Sequence, residues 1–219
     1  MVKPRVVETD EGIQGEFTVQ KYDQMQRRFR DKGWMETKDI INSGINSGMA
    51  LEVGPGPGYL GLEWLKSTEN TTLKGLDISP DMIAMATKNA DEYGLSDRVE
   101  YVLSSGEKMP FEDNTFDAVF TNGSLHEWSE PKKTFEEMWR VLKPGGRLFI
   151  SDLRRDIFFL LRWFMWLNTI PKEIRPGLIT SINAAYTPQE VGELIKETKL
   201  KNCYVSGNPI GLKITGKKS

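Results

Sequence analysis

The stretch Glu52-Val-Gly-Pro-Gly-Pro-Gly58 lies between a short apolar run and a segment with helical spacing, and it decides the fold class of this chain. The run before it, residues 49–53, has the length of a buried parallel strand. Closely spaced glycines permit a sharp turn and let a ligand approach the main chain. Residues 59–67, after the loop, carry apolar side chains at helical intervals. A strand, a glycine loop and a helix in this order predict a ligand site at the carboxyl end of a parallel strand.

The rest of the chain repeats the alternation of strands and helices. Ser79-Pro80 and Thr187-Pro188 each combine an N-cap residue with a proline at the first helical position. Lys143-Pro-Gly-Gly146 predicts a helix stop followed by a tight turn. We predict strands over residues 49–53, 71–77, 99–103, 116–121, 147–152, 203–207 and 211–215, and helices over 59–67, 80–93, 131–142 and 187–199, with two more between 16 and 47 that break near Gly33. This pattern predicts an α/β fold with a mostly parallel sheet.

The composition excludes several kinds of site. A length of 219 residues suits one domain, and a net charge of −2 gives no sign of a polyanion-binding protein. Cys203 is the only cysteine and His126 the only histidine, which excludes a disulfide framework and a multi-histidine or four-cysteine metal centre. No apolar run approaches the ~20 residues that span a bilayer. We therefore predict a cytoplasmic protein without a metal.

The spacing within the glycine loop distinguishes between nucleotide ligands. A dinucleotide site would place its third glycine at position 59, where this chain has Tyr59, and the Gly-Lys-Ser/Thr of a phosphate loop is absent. Glu52 would oppose a pyrophosphate but suits a ligand that carries an ammonium group. Asp77 follows at the end of the next predicted strand, from which a carboxylate can reach ribose hydroxyls. These features favour S-adenosylmethionine over a nicotinamide dinucleotide.

Four motifs together resemble one enzyme family. They are Glu52–Gly58, Gly75-Leu-Asp-Ile-Ser-Pro80, Met109-Pro-Phe-Glu-Asp-Asn-Thr-Phe-Asp117 and Arg140-Val-Leu-Lys-Pro-Gly-Gly-Arg-Leu-Phe-Ile-Ser-Asp152. Their order and spacing resemble the class I, seven-stranded Rossmann-like methyltransferases that depend on S-adenosylmethionine, in particular the ubiquinone and menaquinone biosynthesis subgroup. The resemblance implies a three-layer sandwich with an antiparallel terminal strand, helices before the sheet and a helical insertion after strand five.

The resemblance also implies which residues bind the cofactor. The glycines would line the methionine moiety above Glu52, Asp77 would bind the ribose, and Ser105 would face the adenine, where family members often have aspartate. Glu107 is the nearby carboxylate that could compensate for this difference. The full predicted set is Glu52, Gly54, Pro55, Gly56, Gly58, Asp77, Ile78, Met82, Ser105, Gly106, Glu107, Asn122 and Leu125.

The acceptor side is less defined. The resemblance implies that the end of the fourth strand places His126 beside the transferable methyl group, and His126 is the first candidate for a catalytic base. Tyr22, His126, Trp163 and Tyr186 are the predicted substrate contacts. Residues 154–186 mix aromatic and basic side chains. They fit an insertion packed on the sheet edge or the N-terminal helices, a lid over an apolar acceptor, or a dimer or peripheral membrane contact.

The function predicted from the sequence is methyl transfer to a small organic acceptor, for which the apolar residues of the insertion favour a hydrophobic molecule. We divide the chain into an N-terminal helical cap (1–48), a cofactor-binding core (49–153), the insertion (154–186) and a C-terminal helix and strand pair (187–219) of one domain. A cofactor-binding regulatory protein without turnover is the alternative from another class. An RNA methyltransferase is a weaker one, since acidic residues interrupt the basic stretch 21–32. The sequence leaves a monomer or a homodimer open.

Overall fold

The computed structural model describes residues 4–7 and 13–219. Within this part of the chain the α-helices are Glu16–Asp31 (α1), Thr37–Asn42 (α2), Tyr59–Lys66 (α3), Pro80–Tyr93 (α4), Pro131–Val141 (α5), Phe159–Asn168 (α6), Arg175–Ala184 (α7) and Pro188–Lys196 (α8). The strands are Gly48–Val53 (β1), Thr71–Asp77 (β2), Val99–Leu103 (β3), Phe116–Asn122 (β4), Leu142–Leu153 (β5), Tyr204–Gly207 (β6) and Gly211–Lys217 (β7).

The seven strands form one sheet in the order β3-β2-β1-β4-β5-β7-β6. Strands β1 to β5 pair in parallel, whereas β7 runs antiparallel to both β5 and β6. The predicted mostly parallel sheet with one antiparallel strand near its end is confirmed. The chain leaves β1 towards β2 on one side and returns to β4 on the other. This reversal leaves a crevice at the carboxyl ends of β1, β2 and β4, which is where open α/β sheets bind their ligands.

Each face of the sheet is covered by its own hydrophobic core. Successive residues of β1 point to opposite faces, so Leu51 packs in one cluster with α5 and α8 while Ala50 packs in the other with α3. In the second cluster Trp64 is fully buried against Phe120, and its indole N–H donates to the Ile45 carbonyl at 2.8 Å. Both cores fix the strand ends on which the crevice is built.

The segment between α5 and the straight part of β5 differs from the prediction. The helix stops at Val141, close to the predicted position, but no tight turn follows. Instead, β5 already begins at Leu142, which pairs with Phe116, and four residues then bulge before Arg147 pairs with Ala118. Gly145 has φ +79° and donates its N–H to the Lys218 carbonyl at 2.7 Å. The extended path is stabilised because the C-terminal end of the chain supplies hydrogen-bond partners that a free turn would lack.

The segment between β5 and α8 forms α6 and α7, as the predicted helical insertion requires. α7 buries Ile182 and Ala184, but no residue of α6 is buried. The interpretation of an insertion whose apolar residues pack on the sheet edge or on the N-terminal helices is therefore wrong for α6. None of the helices within residues 4–7 and 13–219 combines the length and the apolar character needed to cross a membrane.

Candidate active site

A cavity of ≈ 360 Å³ opens at the carboxyl ends of β1, β2 and β4. Its floor is the glycine loop after β1, and its far wall is α1. The predicted cofactor residues that line it are Glu52, Gly54, Pro55, Gly56, Asp77, Ile78, Met82, Ser105, Gly106, Glu107 and Asn122. Tyr22, predicted as a substrate contact, lines it as well. The fold thus brings together residues from positions 22 to 122 around one space.

The glycine loop needs its glycines for two different reasons. Gly54 has φ +68°, a left-handed backbone conformation that other residues adopt at a cost, and its N–H donates to the Leu76 carbonyl at 2.8 Å. Gly58 has φ +85° at the N-cap of α3, and a Cβ there would lie 2.5 Å from the Tyr101 hydroxyl. Gly58 does not line the cavity. Its role in this structure is the turn into α3.

Asp77 joins the end of β2 to the glycine loop. Its Oδ2 accepts the Gly56 N–H at 3.1 Å, and its Oδ1 accepts the Ser79 N–H at 2.9 Å. Burial raises the pKa of the Asp77 carboxyl, and the two backbone donors oppose this effect because they stabilise its charged form. The carboxylate is therefore held in one orientation at the mouth of the crevice.

Glu52 is the deepest acid of the cavity. It is only 2% exposed, and burial, followed by the charge of Asp77, raises its pKa to about 8. Within the described residues, its Oε2 has no hydrogen-bond partner. Because a buried polar atom without a partner is costly, this oxygen is suited to a ligand that brings a cation or a donor.

The helix α1 forms the opposite wall through Tyr22 and Gln26. The Tyr22 ring stands over Gly56, where an added Cβ would lie 3.5 Å away, and its hydroxyl accepts a hydrogen bond from the Gln26 side chain at 3.0 Å. Burial, followed by the charge of Glu127, raises the pKa of Tyr22. Sequence reasoning missed Gln26, although its position four residues after Tyr22 on the same helix face is a usable signal.

A polar cluster anchors α1 to this wall. Asp23 Oδ1 accepts hydrogen bonds from the Tyr59 hydroxyl at 2.9 Å and from the Asn89 side chain at 3.0 Å. The Asn89 amide also donates to the Pro57 carbonyl at 2.8 Å. All three side chains are buried. Thus Tyr59, which stands where a dinucleotide motif has glycine, connects the glycine loop to α1.

The other end of the cavity is enclosed by Ser105, Glu107 and the segment before α1. The Glu107 N–H donates to Ser105 Oγ at 3.2 Å, and Ser129 Oγ donates to Glu107 Oε1 at 2.9 Å. Ile13 is held there because its carbonyl accepts the Ser79 hydroxyl at 2.7 Å. Ile13, Trp128 and Ser129 line the cavity and were missed, since nothing local in the sequence indicates their approach.

Four other predicted residues lie outside the cavity lining: Leu125, His126, Trp163 and Tyr186. Leu125 is fully buried in a hydrophobic core, and Trp163 is 60% exposed on α6. Tyr186 packs under the Arg5 guanidinium, 4.2 Å from the ring centre.

His126 is buried in the short helical turn after β4. Its Nδ1 lies 2.8 Å from Asp152 Oδ1, and its backbone N–H donates to Asp152 Oδ2 at 2.7 Å. The next residue, Glu127, lines the cavity and was not predicted. The Asp152 carboxylate thus fixes both the His126 ring and the turn that presents Glu127.

The central part of the chain matches a known family. Residues 51–150 fit the family described as "Methyltransferase domain". These residues are therefore similar to a methyltransferase domain over just under half of the chain. The matched segment begins just before Glu52 and ends just before Asp152, so it contains the strand ends and the glycine loop of the cavity. The predicted resemblance is confirmed for this part of the chain.

Curated relatives are similar to this chain over about half of its length. The ubiquinone/menaquinone biosynthesis C-methyltransferase of Escherichia fergusonii is 34% identical over 117 residues, which are 52% of this chain and 47% of that protein. The chain therefore spans about half the length of the curated relatives it matches. The similarity to these relatives covers only the central part of the chain. The segments before and after it are therefore interpreted from the structure alone.

Solved structures extend the likeness of fold to the whole chain. A putative S-adenosylmethionine-dependent methyltransferase from Methanococcus maripaludis aligns with a TM-score of 0.72 at 23% identity, over 100% of this chain and 97% of that one. A further methyltransferase structure, from Aquifex aeolicus, aligns with a TM-score of 0.65 at 24% identity, over 84% and 90% of the two chains. The helices around the methyltransferase domain thus belong to a known arrangement.

Proposed function

We propose that this chain is an S-adenosylmethionine-dependent methyltransferase that acts on a small organic acceptor. The observation that carries the proposal is the pair of carboxylates Glu52 and Asp77, which line one cavity from neighbouring strand ends around a glycine loop. The match of residues 51–150 to a methyltransferase domain supports it. An ammonium group and a ribose are the ligand parts that these two carboxylates suit.

The residues of the cavity fit this cofactor. The unpartnered oxygen of Glu52 suits the ammonium of the methionine part, and Asp77, already oriented by two backbone donors, suits vicinal hydroxyls. Ile78 is 46% exposed at the mouth and Met82 is buried below it, so together they offer an apolar surface to a purine ring. Ser105 and Glu107 would then lie near the purine's polar edge.

When bound, S-adenosylmethionine supplies a methyl group that is already activated by its sulfonium. The chain's own task is therefore alignment, and holding two reactants in a productive geometry can contribute ~7–11 kcal/mol to lowering a barrier. Tyr22 can donate a hydrogen bond to an acceptor, since its raised pKa keeps the hydroxyl protonated. His126 is the candidate for a base if the acceptor arrives protonated, but it lies outside the cavity lining, so a protonated acceptor would have to reach it beside Glu127.

The acceptor apparatus is proposed to come from the segments outside the core. Residues 13–48 contribute Ile13, Tyr22 and Gln26 to the cavity, and the turn after β4 contributes Glu127 and Trp128. The curated relatives are named as C-methyltransferases of quinone biosynthesis. We therefore place quinols and phenols first among the acceptors to be tested, with thiols and amines after them.

Calorimetric titration with S-adenosylmethionine and with its demethylated product tests the cofactor assignment. We expect both to bind the unmodified chain, and Asp77→Asn to bind at least about tenfold more weakly, since one charge-assisted hydrogen-bond site is lost. Asp97→Asn, at an exposed position outside the cavity, is the matched control and should bind as the unmodified chain does. The proposal is refuted if neither compound binds to the unmodified chain.

A product-release assay then separates turnover from binding alone. Formation of the demethylated product with a quinol, phenol, thiol or amine supports the small-molecule acceptor. Cofactor binding without turnover on any acceptor would favour a regulatory protein. Turnover confined to transfer RNA would favour the RNA methyltransferase instead.

A further inference from the structure

The outer face of α6 exposes an apolar surface made of consecutive helical turns. We call it the α6 surface and define it by the following side chains, with their exposed fractions: Phe158 (62%), Phe159 (68%), Leu160 (54%), Trp163 (60%), Phe164 (58%) and Leu167 (40%). The spacings 159, 163, 167 and 160, 164 place the helical members on one side. Contiguous apolar exposure of this kind marks an interaction site.

The opposite side of α6 attaches the helix to the protein. Arg162 donates to the Asn183 side chain at 2.9 Å, and this contact joins α6 to α7. Thr169, just after the helix, is buried. α6 is thus fixed with its apolar side outward, the reverse of a helix that packs on a core.

The charges around the α6 surface are positive. Residues 157–171 contain Arg162 and no acidic residue. A groove beside the end of α6 brings Ile170 and Pro171 together with Arg27, Arg28 and Lys32 of α1.

The cations of this groove differ in how far they are already paired. Asp31 also lines the groove, but it pairs with Arg30 at 2.7 Å, and Arg27 pairs with Glu92 at 3.3 Å. Within the described residues, no ion pair is found for Arg28 or Lys32, and the Lys32 ammonium lies over the Trp34 ring, 4.3 Å from its centre. Arg28 and Lys32 are therefore the cations available to an anionic group.

We propose that the α6 surface docks on an anionic phospholipid bilayer. Trp and Phe side chains favour the boundary between headgroups and acyl chains, and an apolar helix face with adjacent basic residues lies in that plane. Phe159, Trp163 and Phe164 would enter the boundary, while Arg28 and Lys32 would meet the lipid phosphates.

A second copy of the chain complements this surface less well. A two-fold contact through the α6 surface would bring the same apolar side chains together but would also bring the Arg28 and Lys32 groups of both copies to one interface. An anionic bilayer satisfies the apolar face and the cations at once. The proposal does not depend on the cofactor or on turnover.

Vesicle flotation with the full chain tests the docking. The probes are vesicles of phosphatidylcholine alone and of phosphatidylcholine mixed with phosphatidylglycerol. We expect binding to the anionic vesicles, and the double variant Phe159→Ser/Trp163→Ser should reduce the partition coefficient by about tenfold or more, because two inserted aromatic side chains are lost. Tyr204→Ser, which removes an aromatic ring that is 70% exposed on β6, is the matched control and should bind normally.

The charge contribution has its own pair of variants. Lys32→Gln should weaken binding to anionic vesicles about fivefold, the change expected for one cation near a charged surface. Lys38→Gln, an exposed lysine on α2, should leave it unchanged. Circular dichroism verifies that every variant is folded.

Three outcomes would overturn the proposal. One is that the unmodified chain fails to float with anionic vesicles. Another is that the Phe159→Ser/Trp163→Ser variant floats as well as the unmodified chain. The third is a dimer in sedimentation equilibrium that the same variant dissolves, without vesicle binding, and this result would assign the α6 surface to a second copy.

Discussion

At the scale of single residues, Glu52 combines a proposed binding role with an energetic cost. The same burial that leaves its Oε2 unpartnered also raises its pKa to about 8. A carboxyl whose pKa is higher in the folded state than in the unfolded chain favours folding below its ordinary pKa of 4.5. The contribution is lost as the pH rises towards 8, and above that value the folded protein holds a buried charge.

Glu52→Gln should therefore change how stability depends on pH. At pH 5 the glutamate and the glutamine are both neutral, so the two proteins should differ little in their free energy of unfolding. At pH 9 the variant should be the more stable one, by an amount on the order of 1–4 kcal/mol, because it avoids a buried carboxylate. Urea unfolding at both pH values measures the difference. Glu69→Gln, at an exposed position, should differ from the unmodified protein by the same amount at both pH values. The prediction is contradicted if Glu52→Gln also shows the same difference at pH 5 and pH 9.

At the scale of secondary-structure elements, the docking of α1 decides whether the cavity has a second wall. The cluster of Asp23, Tyr59 and Asn89 links α1 to α3, α4 and the glycine loop. Outside this cluster, the cavity side of α1 carries Tyr22 and Gln26. The position of α1 therefore rests on this buried cluster together with the Arg27–Glu92 ion pair and the Arg30–Tyr93 hydrogen bond outside it.

Tyr59→Phe removes one of these bonds and leaves its ring in place. We expect a loss of about 1–3 kcal/mol in the free energy of unfolding, because Asp23 keeps a buried charge with one donor fewer. The substitution should also accelerate amide hydrogen exchange in α1 more than it does in the strands. Tyr204→Phe, which removes an exposed hydroxyl on β6, is the control. Unchanged exchange in α1 would show that the helix is held by other contacts.

Elements whose ends are determined locally could be predicted from the sequence. Ser79 caps α4 through a bond from the Met82 N–H at 3.2 Å, and Gly94 ends it with φ +66°, both as predicted. The predicted start of α8 holds because Thr187 and Glu190 form a reciprocal capping box. These signals lie within four residues of each other or at the helix end, so no tertiary information is needed.

Features that depend on distant partners could not be predicted. The bulge at Gly145 is stabilised by a hydrogen bond to the carbonyl of Lys218, which lies 73 residues later in the chain. Ile13, Gln26 and Glu127 line the cavity through tertiary contacts that a local pattern does not record. The exposure of α6 was left open for another reason. Many apolar residues in one helix fit burial, a lid or an interaction surface, and only the structure shows which side faces outward.

At the scale of the whole molecule, Lys218 joins the last strand to α5 and β5. Its ammonium donates to the carbonyls of Trp139 and Leu142, each at 2.6 Å, and to the Asn114 side chain at 2.9 Å. Burial lowers the pKa of Lys218. Lys218 thereby pairs the Trp139 carbonyl at the end of α5 and the Leu142 carbonyl at the start of β5, while the backbone N–H groups of Asn114 and Thr115 pair the carbonyls of Arg140 and Val141.

Lys218→Met should destabilise the whole domain rather than one segment. We expect a decrease of about 1–3 kcal/mol in the free energy of unfolding, since buried carbonyls lose a charged donor. The slope of the unfolding free energy against urea concentration should stay the same, because the variant exposes the same surface when it unfolds. Lys217→Met, at the exposed neighbouring position, is the control. A loss of equal size in both variants would contradict the proposed role of the Lys218 hydrogen bonds.

The two walls of the cavity belong to parts of the molecule with different attachments, and this has a consequence for inhibitor design. The wall with Asp77 is part of the central sheet, whereas the wall with Gln26 belongs to a helix held through Asp23. A compound that hydrogen-bonds to both Gln26 and Asp77 would tie the walls together, so it could leave only when α1 detaches. Such a compound should have a long residence time even at modest affinity. Stiffening the Asp23 anchor would then lengthen drug occupancy without a new contact to the drug.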